Sequence, residues 1–363
     1  MIFFPNGQIT ITMFDLTKPI SINWELNNIC NLMCPQCGRN QIKDGVLQWK
    51  NDGSGNPTNS LNDMDTTLEE FKIAFNNIGN VGTVRFYGHV SENVASKEFA
   101  KICEFIINSG SHVMVSTNAS LKNTNWWREL GEIYKRDTLS KVAFCLDGLR
   151  EELSLYRINA DYNKIMENAK AFIDAGGRAQ WRMIIFKHNQ HQIEEAKEIA
   201  KEYGFHNFIL ILSNRLGRWS EPFVYKNKEY ILEPQDIIKE WNEKEQKRVE
   251  YIKSDELDEI SCKFQVQNSI YVDHLLRVWP CCYLPNKKEL VKKHSWYGKY
   301  FQNKSNNLLE KSLSEILEDD FYDTLQNSWT DKTTCLSKCK STCTVTHKSG
   351  SFDASANYRE KVW

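Results

Sequence analysis

Residues 30–37, Cys-Asn-Leu-Met-Cys-Pro-Gln-Cys, constrain this chain more than any other stretch. They place three thiols, Cys30, Cys34 and Cys37, on one short turn, so the sulfur atoms are expected to converge on a soft metal ion or a cluster. Zinc sites usually have four ligands in two separated pairs, and no fourth ligand stands nearby in the sequence. The spacing alone is also compatible with a zinc loop or with a chance group of core cysteines. Three thiolates, however, leave one coordination position of the metal free, which suits a catalytic site better than a structural one.

The composition indicates a soluble chain with a large core. It has 363 residues, 41% of them hydrophobic, which is enough for one large domain and one small one. The formal net charge of -1 gives no global electrostatic case for nucleic-acid binding. Nine of the eleven cysteines lie at 30–37 and 262–343, which fits metal ligands better than a disulfide framework. Because neither a signal peptide nor a long apolar run is present, we expect a cytoplasmic protein with no membrane partner.

Apolar strands and amphipathic helices alternate through the first two thirds of the chain. The strand candidates, each followed by a polar or glycine-containing end, are residues 21–26, 81–88, 112–117, 141–146, 180–186 and 208–212. This order predicts an α/β fold, a partial (β/α)6 TIM-like barrel, with functional residues in the loops that follow the strands. A barrel that is open on one side would admit a large substrate.

The remaining segments complete the predicted organisation. Residues 8–14 predict a short hairpin, residues 40–64 a long polar loop, and Thr66 with Glu69 a capping box that begins a helix. The predicted domains are an N-terminal β extension (1–19), the barrel (20–224), a charged linker helix (225–260), a small cysteine-rich domain (261–350) and a tail (351–363).

The spacing Cys30-x3-Cys34-x2-Cys37 resembles the cluster loop of the radical S-adenosylmethionine (SAM) superfamily. In that family the three cysteines hold a [4Fe–4S] cluster, and SAM chelates the fourth iron. Gln36 departs from the pattern, which often has an aromatic residue there. The resemblance implies that an electron from a donor such as flavodoxin or ferredoxin cleaves SAM through the cluster. The resulting 5′-deoxyadenosyl radical would remove a hydrogen atom from the substrate.

The ends of the second and third strands resemble the SAM-binding segments of the family. Residues 86–92, Phe-Tyr-Gly-His-Val-Ser-Glu, look like a variant of its Gly-Gly-Glu-Pro segment and imply that Gly88 and Glu92 receive the SAM amino group. The third strand end implies that Ser116 and Asn118 lie beside the ribose and carboxylate of SAM. A plain strand-to-helix turn and an asparagine that only turns the chain are the alternatives.

Further candidates follow the later strands. Tyr156-Arg157 resembles a pair in peptide-modifying members, which implies that Arg157 reaches the SAM carboxylate; a surface ion pair is the alternative. Cys145 stands where the family often has serine, and its place inside a strand favours a packed thiol. The candidate substrate-binding residues, all at or near strand ends, are His89, Arg182, Lys187, Asn214 and Arg215.

Six cysteines follow residue 260: Cys262, Cys281, Cys282, Cys335, Cys339 and Cys343. The order of elements here resembles the SPASM and shorter twitch extensions of radical SAM enzymes. That order is one cysteine, a strand near 269–273 that leads to Pro-Cys, a helix near 314–318 and then closely spaced cysteines. The resemblance implies one auxiliary [4Fe–4S] cluster. Cys262, Cys281 and two of Cys335, Cys339 and Cys343 would hold it, with Cys282 spare. Thiolates also suit a zinc knot that clamps the C-terminus.

Three functions remain open at this point. The resemblance implies a radical SAM enzyme that oxidises or crosslinks a peptide or small molecule. The same chemistry on a nucleotide or nucleic acid is a second possibility, because aromatic rings can stack on bases and lysines can bind phosphates. The rings in question stand among lysines and are Trp296, Tyr297, Tyr300 and Phe301. A non-catalytic zinc or iron–sulfur binding protein is the alternative of another class.

Overall fold

The computed structural model describes residues 13–50, 65–212, 221–237, 257–285, 288–302 and 306–344, the short strands at 2–3, 9–10 and 359–361, and residues 243, 247, 250 and 251. Across these ranges, no helix combines the length and the apolar composition that a bilayer crossing needs.

The strands of the described residues are numbered in chain order: β1 (Ile2–Phe3), β2 (Ile9–Thr10), β3 (Ile20–Trp24), β4 (Asn40–Lys43), β5 (Val46–Trp49), β6 (Val81–Phe86), β7 (His112–Thr117), β8 (Lys141–Cys145), β9 (Ala179–Ile185), β10 (Asn207–Leu212), β11 (Phe223–Tyr225), β12 (Lys228–Tyr230), β13 (Ser269–Val272), β14 (Val278–Trp279) and β15 (Arg359–Lys361).

The α-helices are numbered in the same way: α1 (Leu68–Ile78), α2 (Phe99–Asn108), α3 (Thr124–Tyr134), α4 (Arg150–Tyr156), α5 (Tyr162–Asp174), α6 (Ile193–Tyr203), α7 (Lys263–Val266), α8 (Lys288–Lys293), α9 (Ser295–Gln302), α10 (Leu313–Leu317), α11 (Asp320–Asn327) and α12 (Ser337–Cys343).

The chain divides into two compact units, each assembled from separate segments. The first unit contains residues 1–24, 66–85 and 250–354. The second contains residues 25–65, 86–249 and 355–363.

In the first unit, β3 is flanked by two parallel neighbours, β6 and β13, and β13 pairs with β14 antiparallel. Alternate side chains of β3 are buried, and its last residue, Trp24, packs its ring 4.3 Å from that of Phe71 on α1. The predicted strand near 269–273 therefore exists, and it runs alongside β3 with Ile270 in register with Ile22. An N-terminal hairpin is present, but it pairs β1 with β2, so it begins before the predicted range 8–14 and shares only Ile9–Thr10 with it.

In the second unit, strands β7, β8, β9 and β10 pair in parallel and in chain order, and β15 adds an antiparallel edge to β10. Helices join β7 to β8, β8 to β9 and β9 to β10, as the alternating pattern predicts. Helices α3 and α5 pack closely because Gly131 has no side chain; a Cβ there would lie 2.5 Å from the carbonyl oxygen of Phe172.

Three local predictions were wrong. The first part of the expected loop at 40–64 is the β4–β5 hairpin, whose turn places Asp44 and Gly45 at positive φ. The start of the expected linker helix at 225–260 is instead the β11–β12 hairpin, which joins β5 in a four-stranded sheet. The capping box uses Thr67 and Glu70 rather than Thr66 and Glu69.

Candidate active site

Hydrogen bonds to backbone groups of the cysteine loop hold it in place, and its cysteines form no disulfide. The Asn40 amide donates to the carbonyl of Cys34 at 2.8 Å, and the Met33 N–H donates to the carbonyl of Ile158 at 3.1 Å. Cys30, Cys34 and Cys37 are all free and half-buried. The sulfur atoms are therefore left available as ligands.

The three thiols are soft donors in a dry setting. Burial raises the pKa of Cys30 to about 12, and the Glu92 carboxylate adds to that shift. Burial also raises the pKa of Cys34, although the Arg157 cation opposes it. Metal binding at these thiols must therefore release protons.

The donor set fits an iron–sulfur cluster. Over the ranges that the structure describes, no three His, Cys, Asp or Glu side chains are spaced as ligands of a single metal ion. In a [4Fe–4S] cluster each thiolate binds a different iron, so the ligands stand farther apart than around one ion. Three thiols on one loop match three of its four irons.

Glu92 and Asn118 connect the cysteine loop to the end of β7. The buried carboxylate of Glu92 accepts the Asn118 N–H at 2.8 Å and the Thr117 hydroxyl at 2.7 Å. The side-chain amide of Asn118 lies 3.7 Å from the Cys30 sulfur and 3.0 Å from Asn31 Oδ1. Two residues that the resemblance assigned to SAM are therefore in contact with each other and with the thiol loop.

Glu25, which follows β3, organises the segment before Glu92. Its buried carboxylate accepts hydrogen bonds from the backbone N–H of His89, the backbone N–H of Val90 at 3.2 Å, and the hydroxyl of Ser91. Burial raises the pKa of Glu25 to about 7 against the effect of these hydrogen bonds. The segment 88–91 is thus anchored by one carboxylate.

Gly88 and Arg39 complete that anchoring. Gly88 has φ +61, and a Cβ there would lie 2.3 Å from the carbonyl oxygen of Ser91. The buried guanidinium of Arg39 donates to the carbonyls of Asn28 and Val90, so it ties the cysteine loop to the same segment. The Arg39 guanidinium also lies 4.9 Å from the centre of the Trp49 ring, so it connects the cysteine loop and the 88–91 segment to the β4–β5 hairpin.

Arg157 lies near the thiols but is paired. Its Nε is 2.7 Å from Oδ2 of Asp147, whose side chain is 0% exposed. Burial opposes the charge of Arg157, but the Asp147 carboxylate outweighs it and raises the Arg157 pKa. The pair is a buried one, not the surface ion pair considered from the sequence.

Ser116 and Cys145 form a polar cluster with Arg182 across β7, β8 and β9. Arg182 Nη1 donates to the Ser116 hydroxyl at 2.9 Å, which lies 3.3 Å from the Cys145 sulfur. The Arg182 guanidinium is also 5.9 Å from the ring centre of Tyr87. A cation thus stands behind Ser116, two residues before Asn118.

The other substrate candidates differ in their surroundings. His89 is exposed, and Lys187 makes an exposed ion pair with Glu233 at 2.9 Å. Asn214 and Arg215 lie outside the described residues.

In the first unit, four cysteines line one cavity: Cys262, Cys281, Cys339 and Cys343. Its other walls are mainly apolar and include Met13, Leu284 and Trp329. The Cys262 thiol, together with burial, raises the pKa of Cys343, and burial raises those of Cys281 and Cys339. Four thiols that line one largely apolar cavity are the type of donor that binds an iron–sulfur cluster.

The remaining features of this unit lie apart from that cavity. Cys335 and Cys282 do not line it. Tyr297 and Tyr300 are 0% and 2% exposed and pack around Trp279 and Phe321. These two rings belong to the core, so they do not offer a surface on which bases could stack.

Sequence reasoning missed Glu25 and Arg39 as parts of this site. The signal for Glu25 was a charged residue at the end of an apolar strand, immediately before the cysteine loop. The signal for Arg39 was its position two residues after Cys37, but a single arginine in a polar stretch does not reveal burial.

Comparisons with known proteins give a matching family model and structures of similar fold. Residues 24–200 match the model of the Radical SAM superfamily. The structure of Streptococcus suis SuiB bound to S-adenosylmethionine is similar, with a TM-score of 0.55, 14% identity, and coverage of 85% of this chain and 68% of that one. SuiB bound to precursor peptide SuiA gives a TM-score of 0.51 and 13% identity, with coverage of 84% and 66%. At these identities the likeness shows the fold. No curated protein sequence matches the chain.

Proposed function

We propose that the chain is a radical SAM enzyme, as the match of residues 24–200 to that superfamily indicates, and that Cys30, Cys34 and Cys37 hold its catalytic [4Fe–4S] cluster. Members of this superfamily are enzymes that use such a cluster with SAM, and the expected α/β fold class, a partial (β/α)6 barrel, is that of the family. The contact between the Asn118 amide and the Cys30 sulfur, at 3.7 Å, carries the proposal. It joins the thiol loop to the strand end that resembles a SAM-binding segment.

The loop offers three thiolates, which leaves one iron for SAM. Bound there, the cluster and SAM would supply a 5′-deoxyadenosyl radical that takes a hydrogen atom from the substrate. Asn118 orients its amide toward the Cys30 sulfur, and a donor aimed at a thiolate stabilises its charge. Arg39 and Glu25 hold the surrounding backbone, so the ligands are positioned before the cofactor binds.

Glu92 is proposed to receive the SAM ammonium. Its carboxylate is buried, and the hydrogen bonds that it accepts from Thr117 and Asn118 fix its orientation and leave lone pairs for a cation. Gly88 permits the tight turn that brings this segment close. Ser116 is proposed to lie beside the SAM carboxylate and ribose, and Arg182 donates a hydrogen bond to its hydroxyl. The buried Arg157–Asp147 pair is proposed to support this part of the site.

The second thiol set is proposed to hold an auxiliary [4Fe–4S] cluster through Cys262, Cys281, Cys339 and Cys343. The shared cavity favours these four over any set that includes Cys335. Four protein ligands would close the cluster to substrate and suit electron transfer. An auxiliary electron carrier favours oxidation or crosslinking of the substrate.

A peptide is the proposed substrate class. The similar SuiB structure is described with precursor peptide SuiA, and Tyr156-Arg157 resembles a pair in peptide-modifying members. Because Tyr297 and Tyr300 are buried, the case for a nucleic acid loses two of the four rings on which it depended.

The test is SAM cleavage by anaerobically reconstituted enzyme with dithionite as reductant. We expect 5′-deoxyadenosine from the wild type and from Cys282→Ala, a matched control outside both thiol sets, but none from Cys30→Ala. If the wild type forms none with full iron content, the proposed chemistry is wrong. For the substrate, coexpression with a short peptide encoded beside the gene should yield a peptide lighter by two hydrogens in mass spectrometry.

A further inference from the structure

The thiol cavity of the first unit, lined by Cys262, Cys281, Cys339 and Cys343, also contains a buried hydrogen-bond donor. The indole ring of Trp329 forms part of the same lining. Its nitrogen, Nε1, is buried and has no acceptor in hydrogen-bonding geometry among the described residues. An indole N–H can only donate, and a buried donor without an acceptor is unfavourable. We therefore expect the acceptor to be a group that binds in the cavity.

Trp279 shows how another buried indole of this unit is satisfied. Its Nε1 donates to Oδ2 of Asp273 at 2.9 Å. The described residues that line the thiol cavity include no aspartate, glutamate, asparagine or glutamine, and their side-chain oxygens are the hydroxyls of Tyr283 and Thr342. Most of the side-chain atoms there that could accept a hydrogen bond are therefore sulfur atoms. A thiolate or a cluster sulfide, which carries negative charge, is a stronger acceptor than a neutral thiol.

We propose that the Trp329 N–H donates a hydrogen bond to a sulfur atom of the cluster held by Cys262, Cys281, Cys339 and Cys343, and so raises the reduction potential of that cluster. This inference rests on the proposed function of that thiol set. The cluster gains one negative charge when it takes up one electron, and no proton is transferred. The hydrogen bond strengthens as the charge on sulfur grows, so it stabilises the reduced state more than the oxidised one. Trp329 thereby makes the site a better electron acceptor.

The experiment is a potentiometric titration followed by electron paramagnetic resonance. The parent protein is the full-length chain with Cys30, Cys34 and Cys37 all changed to alanine, so that only the auxiliary cluster contributes a signal. Trp329→Phe keeps an aromatic ring but removes the N–H, and it should shift the midpoint potential to a lower value. Trp296→Phe makes the same chemical change at a half-buried ring that does not line the cavity, and it should leave the potential unchanged.

A second measurement detects the hydrogen bond in the parent itself, so it does not depend on folding of the variants. Trp329 is the one tryptophan among the described residues that line the cavity. When the indole nitrogens are labelled with ¹⁵N, pulsed electron paramagnetic resonance of the reduced cluster should show a ¹⁵N coupling, and Trp329→Phe should lose it.

The outcomes separate the inference from the ligand assignment. A parent cluster without ¹⁵N coupling would overturn the inference while leaving the ligand assignment intact. The same holds for a midpoint potential that is equal in the parent and in Trp329→Phe at equal iron content. A parent chain that binds no iron would contradict the ligand assignment and the inference with it.

Discussion

Asn118 places its side-chain amide 3.7 Å from the sulfur of Cys30 while its backbone N–H is held by Glu92 at 2.8 Å. A neutral donor therefore points at a proposed cluster ligand from a strand end that is fixed by a buried acid. This arrangement explains how one residue can serve both the thiol loop and the proposed SAM site.

Asn118→Asp should weaken cofactor binding. The change keeps the shape of the side chain but brings a carboxylate beside a thiolate, at a cost of roughly 1–3 kcal/mol. Lower iron content and a larger SAM dissociation constant by equilibrium dialysis are expected. Asn123→Asp is the matched control, because Asn123 caps α3 through its side-chain oxygen and aspartate caps equally well. Equal behaviour of the two variants would remove Asn118 from the site.

Gly88→Ala should destabilise the protein more than Gly45→Ala. Both glycines have positive φ, so both substitutions carry backbone strain of about 1–2 kcal/mol. Only at Gly88 would the new Cβ also meet a backbone atom, at 2.3 Å from the Ser91 oxygen, whereas at Gly45 nothing lies within 4 Å. Urea unfolding measures the difference. If the two losses match, the 88–91 turn relaxes without cost, and its tight form is not required.

Glu25 should make stability depend on pH. Burial raises its pKa from the ordinary value of 4.5 to about 7, so the folded protein binds this proton more tightly than the unfolded chain. Its contribution to the free energy of unfolding is therefore greatest at low pH and decreases by roughly 3 kcal/mol as pH rises through this interval. Glu25→Gln should flatten that decrease in urea unfolding between pH 5 and about 7.5.

The control for this prediction is Glu104→Gln, an exposed acid that pairs with Arg136 at 2.9 Å. It should leave the pH dependence of the wild type unchanged. A Glu25→Gln protein with the full wild-type pH dependence would show that this carboxyl does not titrate in the interval.

The auxiliary ligand set can be read from iron content. Alanine at any one of Cys262, Cys281, Cys339 or Cys343 should reduce the reconstituted chain from about eight irons to about four, since two [4Fe–4S] clusters become one. Cys335→Ala is the matched control, because Cys335 lies on the same C-terminal segment but outside the cavity. If Cys335→Ala loses about four irons while one of the four cavity variants keeps about eight, Cys335 takes the ligand role of that cysteine.

The parallel strands of the second unit were predictable because their apolar runs are separated by clear helical patterns and polar ends. The β4–β5 hairpin was missed because only Leu47 among its apolar side chains is buried, while Ile42 and Val46 are exposed. Asp44-Gly45 was the available signal, as this pair favours a tight hairpin turn.

The site was predictable only in its local motifs. The cysteine spacing and Glu92 could be recognised in the sequence, but the partners of Glu25 lie 64 to 66 residues away along the chain. Arg157 shows the same limit: a motif assigned it to SAM, and the fold supplies Asp147 as its buried partner. The choice of Cys339 and Cys343 over Cys335 likewise required the cavity.

The 30–37 loop is proposed to hold a cluster with one iron open to SAM. Electron paramagnetic resonance of the reduced protein tests it most directly, in a Cys281→Ala, Cys339→Ala chain in which the loop cluster alone gives a signal. We predict that SAM changes this spectrum, and that Cys34→Ala in the same chain abolishes it. A loop cluster whose spectrum is identical with and without saturating SAM would contradict the account.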